Sequence, residues 1–257
     1  MLLLTTVRSG IVFATKINSQ SEYHLAKAKY NCVAIPLAIG EYNCGAIAPL
    51  NPNLYNKGKT IMNLILASKS PRRKEILENL GVKFDIITCE TDEHTNETDG
   101  TKYVREIAFR KGDAVRTLLE SEGKFGDDMI ILSSDTVVVS ADGEIMGKPR
   151  DRADAKRMIL AFSGKPHFVI SGIALITKEK TVVTSESTTV FFDTVDETDV
   201  ERYLDTNEAY DKAGAYAIQG YASLWINGIE GDYFNVVGLP VKKLADTLKN
   251  EFGIKLA

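Results

Sequence analysis

The sequence predicts an α/β fold of the mixed α+β kind, a long mixed sheet with flanking helices. Three observations carry that expectation. Phe168 to Ile176 and Thr181 to Phe192 are strand-like runs separated only by a short turn around Lys178-Glu179-Lys180, which reads as a long antiparallel hairpin. Met129 to Val139 is a nearly continuous apolar run, the pattern of a strand covered on both faces. Helical periods fall between strand pairs without strict alternation, which favours a mixed sheet over a purely parallel one.

Taken in order, residues 1–61 show no sustained helical or strand period and end in the turn-rich stretch 49–59, which reads as a linker. The Leu2-Leu3-Leu4 run is interrupted by Arg8, is too short to span a bilayer and has no charged region before it, as a secretory signal requires. Only Glu22 and Glu41 are acidic there, a composition compatible with an organelle-targeting segment but for its few arginines. The competing reading is an extension ahead of a natural start at Met62, with 62–257 as the folded domain.

From Met62 onward the elements follow closely. Leu64 to Ala67 reads as a short buried strand. Ser70 is placed as an N-cap, Pro71 fits the first helical turn, and Ile76, Leu77 and Leu80 give an apolar stripe ended by Gly81. Lys83 to Cys89 is strand-like, and the polar loop 90–100 leads to a helix from Lys102 to about Glu120 with Val104, Ile107, Ala108, Val115 and Leu118 inward. Asp142-Gly143 marks a turn, and a helix near Asp151 to Phe162 is closed by Gly164. Thr198 is expected to cap a helix through Leu204, and a last helix starts at Pro240 with Val241, Leu244, Leu248 and Phe252 on one face.

Composition narrows the function. A chain of 257 residues, 44% hydrophobic and 26% charged, is that of a soluble globular protein and not of a disordered, fibrous or membrane-spanning one. A formal net charge of −4 argues against general nucleic-acid binding, which needs a broad basic face, but permits a local patch for a small polyanion. Cys32, Cys44 and Cys89 match no zinc or redox spacing, so reduced thiols in a cytoplasmic setting are expected.

Such a patch is present at Pro71-Arg72-Arg73-Lys74. A helix N-terminus carries roughly half a positive charge, so cations there add like charge where acids are usual. A phosphate would reverse the sign. Asp135 interrupts the apolar run 130–139, and a carboxylate in a central strand is costly to bury without a cation, a metal or several hydrogen bonds. It is the best candidate for a general base or metal ligand. Asp92 and Glu93 offer further carboxylates, and carboxylates from separate loops commonly hold Mg²⁺ for phosphate-bearing substrates. Lys111, Lys148 and Lys165 are ordinary singly, although Gly147 and Pro149 fix the backbone around Lys148. His167 is read as a structural hydrogen-bonding residue, since with His24 and His94 as the only other histidines no metal-binding pair or Ser/His/Asp arrangement can be defended. Neither a Walker loop nor a dinucleotide G-x-G-x-x-G is present, which weakens kinase and dehydrogenase readings.

The ordered set Leu66-Ala67-Ser68-Lys69-Ser70-Pro71-Arg72-Arg73, Asp92-Glu93, Ser133-Ser134-Asp135-Thr136-Val137, Gly147-Lys148-Pro149, Ser163-Gly164-Lys165-Pro166-His167, Asp211 to Gly220 and Asn235 to Pro240 resembles the Maf family of nucleoside triphosphate pyrophosphatases. The resemblance runs from Met62 to the C-terminus and leaves 1–61 without a counterpart. The run Asp211-Lys212-Ala213-Gly214-Ala215-Tyr216 with Ile218-Gln219-Gly220 is similar to the branch acting on dTTP and UTP, whereas the 7-methyl-GTP branch usually carries a phenylalanine and a Glu-Gly there.

This resemblance implies a two-lobed fold around a central cleft, related to inosine triphosphatases, hydrolysis between the α and β phosphates, and a bound Mg²⁺ or Mn²⁺. It implies that Asp135 is the proton acceptor and that Arg72, Thr136 and Gln219 bear on substrate choice. Ser68, Arg73, Lys111 and Lys148 are expected to complete a phosphate cradle, and Glu93 to join Asp135 at the metal. A homodimer is expected, with neither nucleic acid nor membrane as partner. The competing reading from another class is a nucleotide-binding regulator of cell division or septum formation; Asp135 favours the enzyme.

Overall fold

The computed structural model describes residues 2–8, 11–17, 33–35, 54–56 and 59–256, with side chains from Met62 onward. Two compact units divide the chain, Met1–Ala48 and Pro49–Ala257. In the first, strands β1 (Leu2–Arg8), β2 (Ile11–Ile17) and β3 (Val33–Ile35) form an antiparallel sheet in the order β2-β1-β3. The sequence reading found no strand period here; these strands draw on β-branched content rather than alternation. Cys32, Cys44, Glu22 and Glu41, on which readings of this stretch rested, lie outside the described residues.

The second unit holds a nine-stranded mixed sheet. Its strands are β4 (Leu54–Asn56), β5 (Lys59–Leu66), β6 (Phe84–Ile86), β7 (Met129–Val139), β8 (Ile145–Met146), β9 (Pro166–Ile176), β10 (Thr181–Phe192), β11 (Ile226–Glu230) and β12 (Ile254–Lys255). The order is β11-β10-β9-β7-β5-β4-β12, with β6 beside β5 and β8 beside β7. Among the described residues only β5 with β6 and β5 with β7 pair in parallel. The mixed α/β expectation is thus met. The stretch read as a linker contributes β4, which pairs antiparallel with both β5 and β12.

Helices α1 (Pro71–Asn79), α2 (Gly100–Ser121), α3 (Arg152–Phe162), α4 (Glu197–Leu204), α5 (Tyr233–Val237) and α6 (Val241–Thr247) cover the sheet. Against one region of it pack Ile76 and Leu77 of α1 with Leu244, Leu248 and Ile254, over Leu64, Leu66, Ile130 and Leu132. Helix α2 covers Ile65, Ile131 and Ile176 through Val115 and Leu119. A third cluster joins α3 and α4 through Phe162, His167, Phe192, Tyr203, Tyr216 and Trp225.

Three details correct the sequence reading. Leu118 is 37% exposed and Leu119 takes the inward position, because the helix begins at Gly100 and its buried face runs through Val104, Ala108, Val115 and Leu119. Asp196, not Thr198, caps α4, its carboxylate accepting from the Thr198 amide at 2.7 Å. Ser70 does sit at the N-cap of α1 but its side chain makes no capping bond; the nearby hydroxyl of Ser68 accepts from the Ser70 amide instead, at 3.2 Å.

Candidate active site

Strand β5 stops at Leu66 while its parallel neighbour β7 continues from Leu132 to Val139. The edge of β7 beyond Leu132 is therefore open until β8 pairs with Val138 and Val139. At such an edge, side chains from both faces of one strand can reach the same cleft. That is why Asp135 and Thr136, adjacent and oppositely directed, both line a cavity of about 580 Å³. Its position beyond the carboxyl ends of parallel strands is where open α/β sheets usually bind ligands.

One wall begins with the turn from β5 into α1. Ala67 is held by its amide to the Leu132 carbonyl at 2.8 Å, which sets Ser68 to Arg73 against β7. The first turn of α1 contains no acidic residue. Arg73 is buried, and its Nε donates to the Gly238 carbonyl at 2.8 Å, Nη1 to Ser68 Oγ at 3.1 Å and Nη2 to Thr136 Oγ1 at 3.1 Å. Burial pushes its basicity down, and the nearby Asp135 carboxylate counters part of that. Three of its five N–H groups are thereby committed to protein and two remain for an anion. Arg72 is more open, with Nη1 facing Asp211 Oδ2 across the cleft at 3.7 Å.

Thr136 belongs to the same network. Ser171 Oγ donates to the Asn235 carbonyl at 3.1 Å, so in its 2.9 Å contact with Thr136 the threonine must be the donor. Thr136 Oγ1 then accepts from Arg73 and gives its single proton to Ser171.

Helix α2 delivers Lys111 to Asp135. It lies unusually close to β7 and β9: a Cβ at Gly112 would come within 2.7 Å of Ser133 Oγ, and one at Gly172 within 2.4 Å of the Val104 carbonyl oxygen. Ser133 Oγ locks the approach by donating to the Ala108 carbonyl at 2.6 Å. Gly172 is also the cross-strand partner of Asp135, so the same close approach seats the lysine over the carboxylate. Lys111 Nζ lies 2.7 Å from Asp135 Oδ1 and 3.0 Å from Glu93 Oε1. Tyr103, about two turns earlier on α2, also lines the cleft; burial and the charges of Asp135 and Glu93 push its phenol up.

Among the described residues no group of three or more His, Cys, Asp or Glu side chains forms a complete metal cage. Two carboxylates converging on one cation are nonetheless a donor set that suits Mg²⁺, which keeps waters and takes its remaining oxygens from substrate phosphates. The residues present fit such an ion.

The other wall comes from the α3, β9 and 210–221 region. Gly147 accepts from the Gly214 amide at 3.0 Å, joining the Lys148 loop to the segment that ends in Gln219. Behind it, His167 is fully buried, stacks on Phe162 with ring centroids 4.1 Å apart, and pairs through Nε2 with Tyr216 OH at 2.7 Å. Burial lowers its pKa to about 3, so the ring is neutral and has the structural role the sequence suggested.

Ser68, Arg72, Arg73, Glu93, Lys111, Asp135, Thr136, Lys148 and Gln219 all line this single cleft. Asp92, Lys165 and His167 do not. The Asp92 carboxylate instead accepts from the His94 amide at 2.9 Å within its own loop. Lys212 was missed: it lines the cleft, its Nζ held by the Glu208 carbonyl at 2.6 Å and Asp211 Oδ1 at 2.5 Å. Its place directly after Asp211 in the glycine-rich run was the available signal.

Residues 63–251 match the family model described as Maf-like protein. The chain is 48% identical over 198 residues to the dTTP/UTP pyrophosphatase of Clostridioides difficile, covering 76% of this chain and 98% of that one. It is 46% identical over 196 residues to the dTTP/UTP pyrophosphatase of Caldanaerobacter subterraneus, covering 76% and 91% respectively. The Bacillus cereus dTTP/UTP pyrophosphatase is 40% identical over 194 residues, with 75% and 92% covered.

Proposed function

The chain belongs to the Maf-like protein family, and on that premise we propose that it is a nucleoside triphosphate pyrophosphatase that hydrolyses dTTP and UTP to the monophosphate and pyrophosphate. The observation that carries this reading is the Lys111–Asp135–Glu93 cluster facing the cationic turn Ser68 to Arg73 across one cleft. A carboxylate poised beside a phosphate-sized basic pocket suits attack of water on a phosphoanhydride.

Lys111 occupies Asp135 Oδ1, which leaves Oδ2 to take a proton from water as its oxygen attacks the α-phosphorus. The bond from that phosphorus to the α–β bridging oxygen breaks, and its electron pair leaves on pyrophosphate. Charge gathering there is met by the remaining N–H groups of Arg73, by Arg72 and by Lys148, with Ser68 orienting Arg73. A divalent ion held by Glu93 and Asp135 would neutralise phosphate oxygens when bound. Gln219, exposed in the cleft, is suited to the edge of uracil or thymine, whose N3–H and carbonyls complement an amide. Arg72 and Thr136 bear on the same choice, Thr136 through the arginine it supports.

A cytoplasmic homodimer is part of this reading; no helix among the described residues is long and apolar enough to cross a membrane. The test is product analysis with Mg²⁺ or Mn²⁺ over a panel of nucleoside triphosphates. Release of UMP and pyrophosphate from UTP is expected, and release of orthophosphate would overturn the bond assignment.

A further inference from the structure

We infer that Asp211 is an internal counter-ion seated in a phosphate subsite that Arg72 and Lys212 form at the cleft, and that the substrate displaces it on binding; this rests on the pyrophosphatase reading above. All three residues line the cleft. Arg72 comes from the first turn of α1 and the other two from the segment after α4, so the Arg72–Asp211 pair joins opposite walls. A carboxylate lining a triphosphate cleft works against its ligand, because every ionised phosphate oxygen it faces is a like charge. Its presence there needs a reason.

The reason lies in how its two oxygens are shared. Oδ1 is 2.5 Å from Lys212 Nζ and Oδ2 is 3.7 Å from Arg72 Nη1. Partial burial pulls the carboxyl up, but Lys212 and Arg72 outweigh that and hold it below the usual carboxylate range, so it is ionised at neutral pH. Cations from opposite walls thus meet on one anion, and phosphate oxygens in its place would find the same two partners.

The three residues are not equally fixed. Lys212 is 14% exposed in its side chain and also donates to the Glu208 carbonyl at 2.6 Å, so it stays in place when Asp211 leaves. Asp211 is 64% exposed, lies in a turn outside helix and strand, and meets Arg72 at a distance longer than a hydrogen bond. Such exposed pairs contribute little to stability. A ligand with several ionised oxygens therefore takes Arg72 from it, and the carboxylate turns toward solvent. An internal competitor of this kind weakens apparent affinity by the fraction of time it holds the site: occupancy of about four-fifths weakens it about fivefold.

The experiment measures binding of inorganic tripolyphosphate by calorimetry, and kcat and KM for UTP with Mg²⁺. The proteins are the wild type, Asp211→Asn, Asp211→Ala, Arg72→Ala and the double variant Arg72→Ala with Asp211→Asn, with Tm for each. Asp211→Asn is expected to tighten tripolyphosphate binding and lower the KM for UTP, each about fivefold, the change appearing in KM rather than in kcat. The gain should shrink as salt rises from about 0.05 to 0.5 M, as screening removes the competition. With Arg72 already replaced by alanine, the same Asp211 change should gain less than about twofold, because the pair it breaks is gone. Asp211→Ala serves as the test if the asparagine variant does not fold. Unchanged or weaker tripolyphosphate binding in the folded Asp211 variants overturns the inference, since the carboxylate would then be idle or would hold Arg72 in place for the substrate. An equal gain with and without Arg72 also overturns it, by reducing the effect to general repulsion. Wild-type protein that binds tripolyphosphate but releases no pyrophosphate from UTP overturns the functional reading instead.

Discussion

On the wall formed by β5, α1, α2 and β7, the buried groups are charged and matched: Arg73 with three oxygen partners, Asp135 with Lys111. On the wall formed around α3, β9 and the 210–221 segment, the core is aromatic and neutral, with His167 deprotonated between Phe162 and Tyr216, and the buried Asp154 of α3 is held apart from it by Arg150 and Arg157. Burying ions demands fixed partners, and fixed partners give preorganised charge for phosphate chemistry. Burying neutral rings demands only shape and one hydrogen bond, and gives a rigid frame from which Gln219 and Lys148 reach the cleft. On the reading proposed above, the charged wall carries the base and most of the phosphate contacts, joined by Lys148 from opposite, and the neutral wall presents Gln219 to the base.

The sharpest way to break this assignment is Asp135→Asn. An amide keeps the shape of the carboxylate but takes no proton, so turnover should fall by about 10²- to 10⁴-fold. Nucleotide binding measured calorimetrically should persist. Unchanged pyrophosphate release would remove Asp135 from the base role and dissolve the division between the walls.

Arg73→Lys comes next. The ammonium keeps the charge but cannot reach Gly238, Ser68 and Thr136 together, and unpaired buried acceptors cost about 1–3 kcal/mol. Both Tm and turnover should drop, whereas Arg72→Lys, at the open mouth, should leave Tm nearly unchanged while raising KM. Equal Tm losses in the two variants would mean that the buried network is not what separates them.

On the second wall, Gln219→Glu replaces a donor and acceptor by acceptors only. UTP and dTTP should lose roughly tenfold in kcat/KM, on the order of one hydrogen bond, with Tm preserved. Uniform losses across all nucleotides would place Gln219 with the phosphate chemistry.

Much of this is legible in the sequence. Pro71 at the head of α1, Gly81 after it and the acid within the β7 run each reflect a local constraint that sequence expresses directly. What was hidden depends on elements far apart in the chain. The close seating of α2 rests on Gly112 and Gly172 together, and neither position signals it alone. Asp196, Thr198 and Asp199 all have capping side chains within four residues, so local chemistry could not choose among them. Lys212 shares a cleft with Asp135 only through the fold, and its place in the glycine-rich run hints at that without fixing it.

The neutral frame makes a pH prediction of its own. His167 has a folded pKa of about 3 against 6.5 when free, so between those values the unfolded chain binds the extra proton. Its contribution therefore favours folding at pH 7 and is lost as pH falls from about 6.5 toward 3, at a limiting slope of about 1.4 kcal/mol per pH unit. Asp154, clamped by Arg150 and Arg157 and lowered to about 2 from 3.8, adds a loss in the same direction only below about pH 4. Glu90, held low by Lys69, and Glu201, held low by Lys156 and Arg152, act in the same direction as their unfolded forms protonate below about pH 5.5, so urea melts between about pH 5.5 and 6.5 report the histidine most directly. His167→Gln should flatten the slope there, and an unchanged slope would show that the proton is taken up elsewhere.

The smallest effect is expected from removing residues 1–61. The turn that carries Ser68 to Arg73 is anchored by pairing of residues 63–66 with 129–132, by residues 64–66 with 84–86 and by the Ala67 amide on Leu132, all within a chain that begins at Met62. Besides the β1–β3 sheet and the first three residues of β5, β4 and its pairing with β5 and β12 would be lost, at the far end of β5 from the cleft. A protein starting at Met62 should therefore keep the kcat and KM of the full chain for UTP, with any cost confined to Tm. A fall in kcat would mean that the charged wall is braced from the end of β5 opposite the cleft, which the neutral wall, built from residues after 140, would not share.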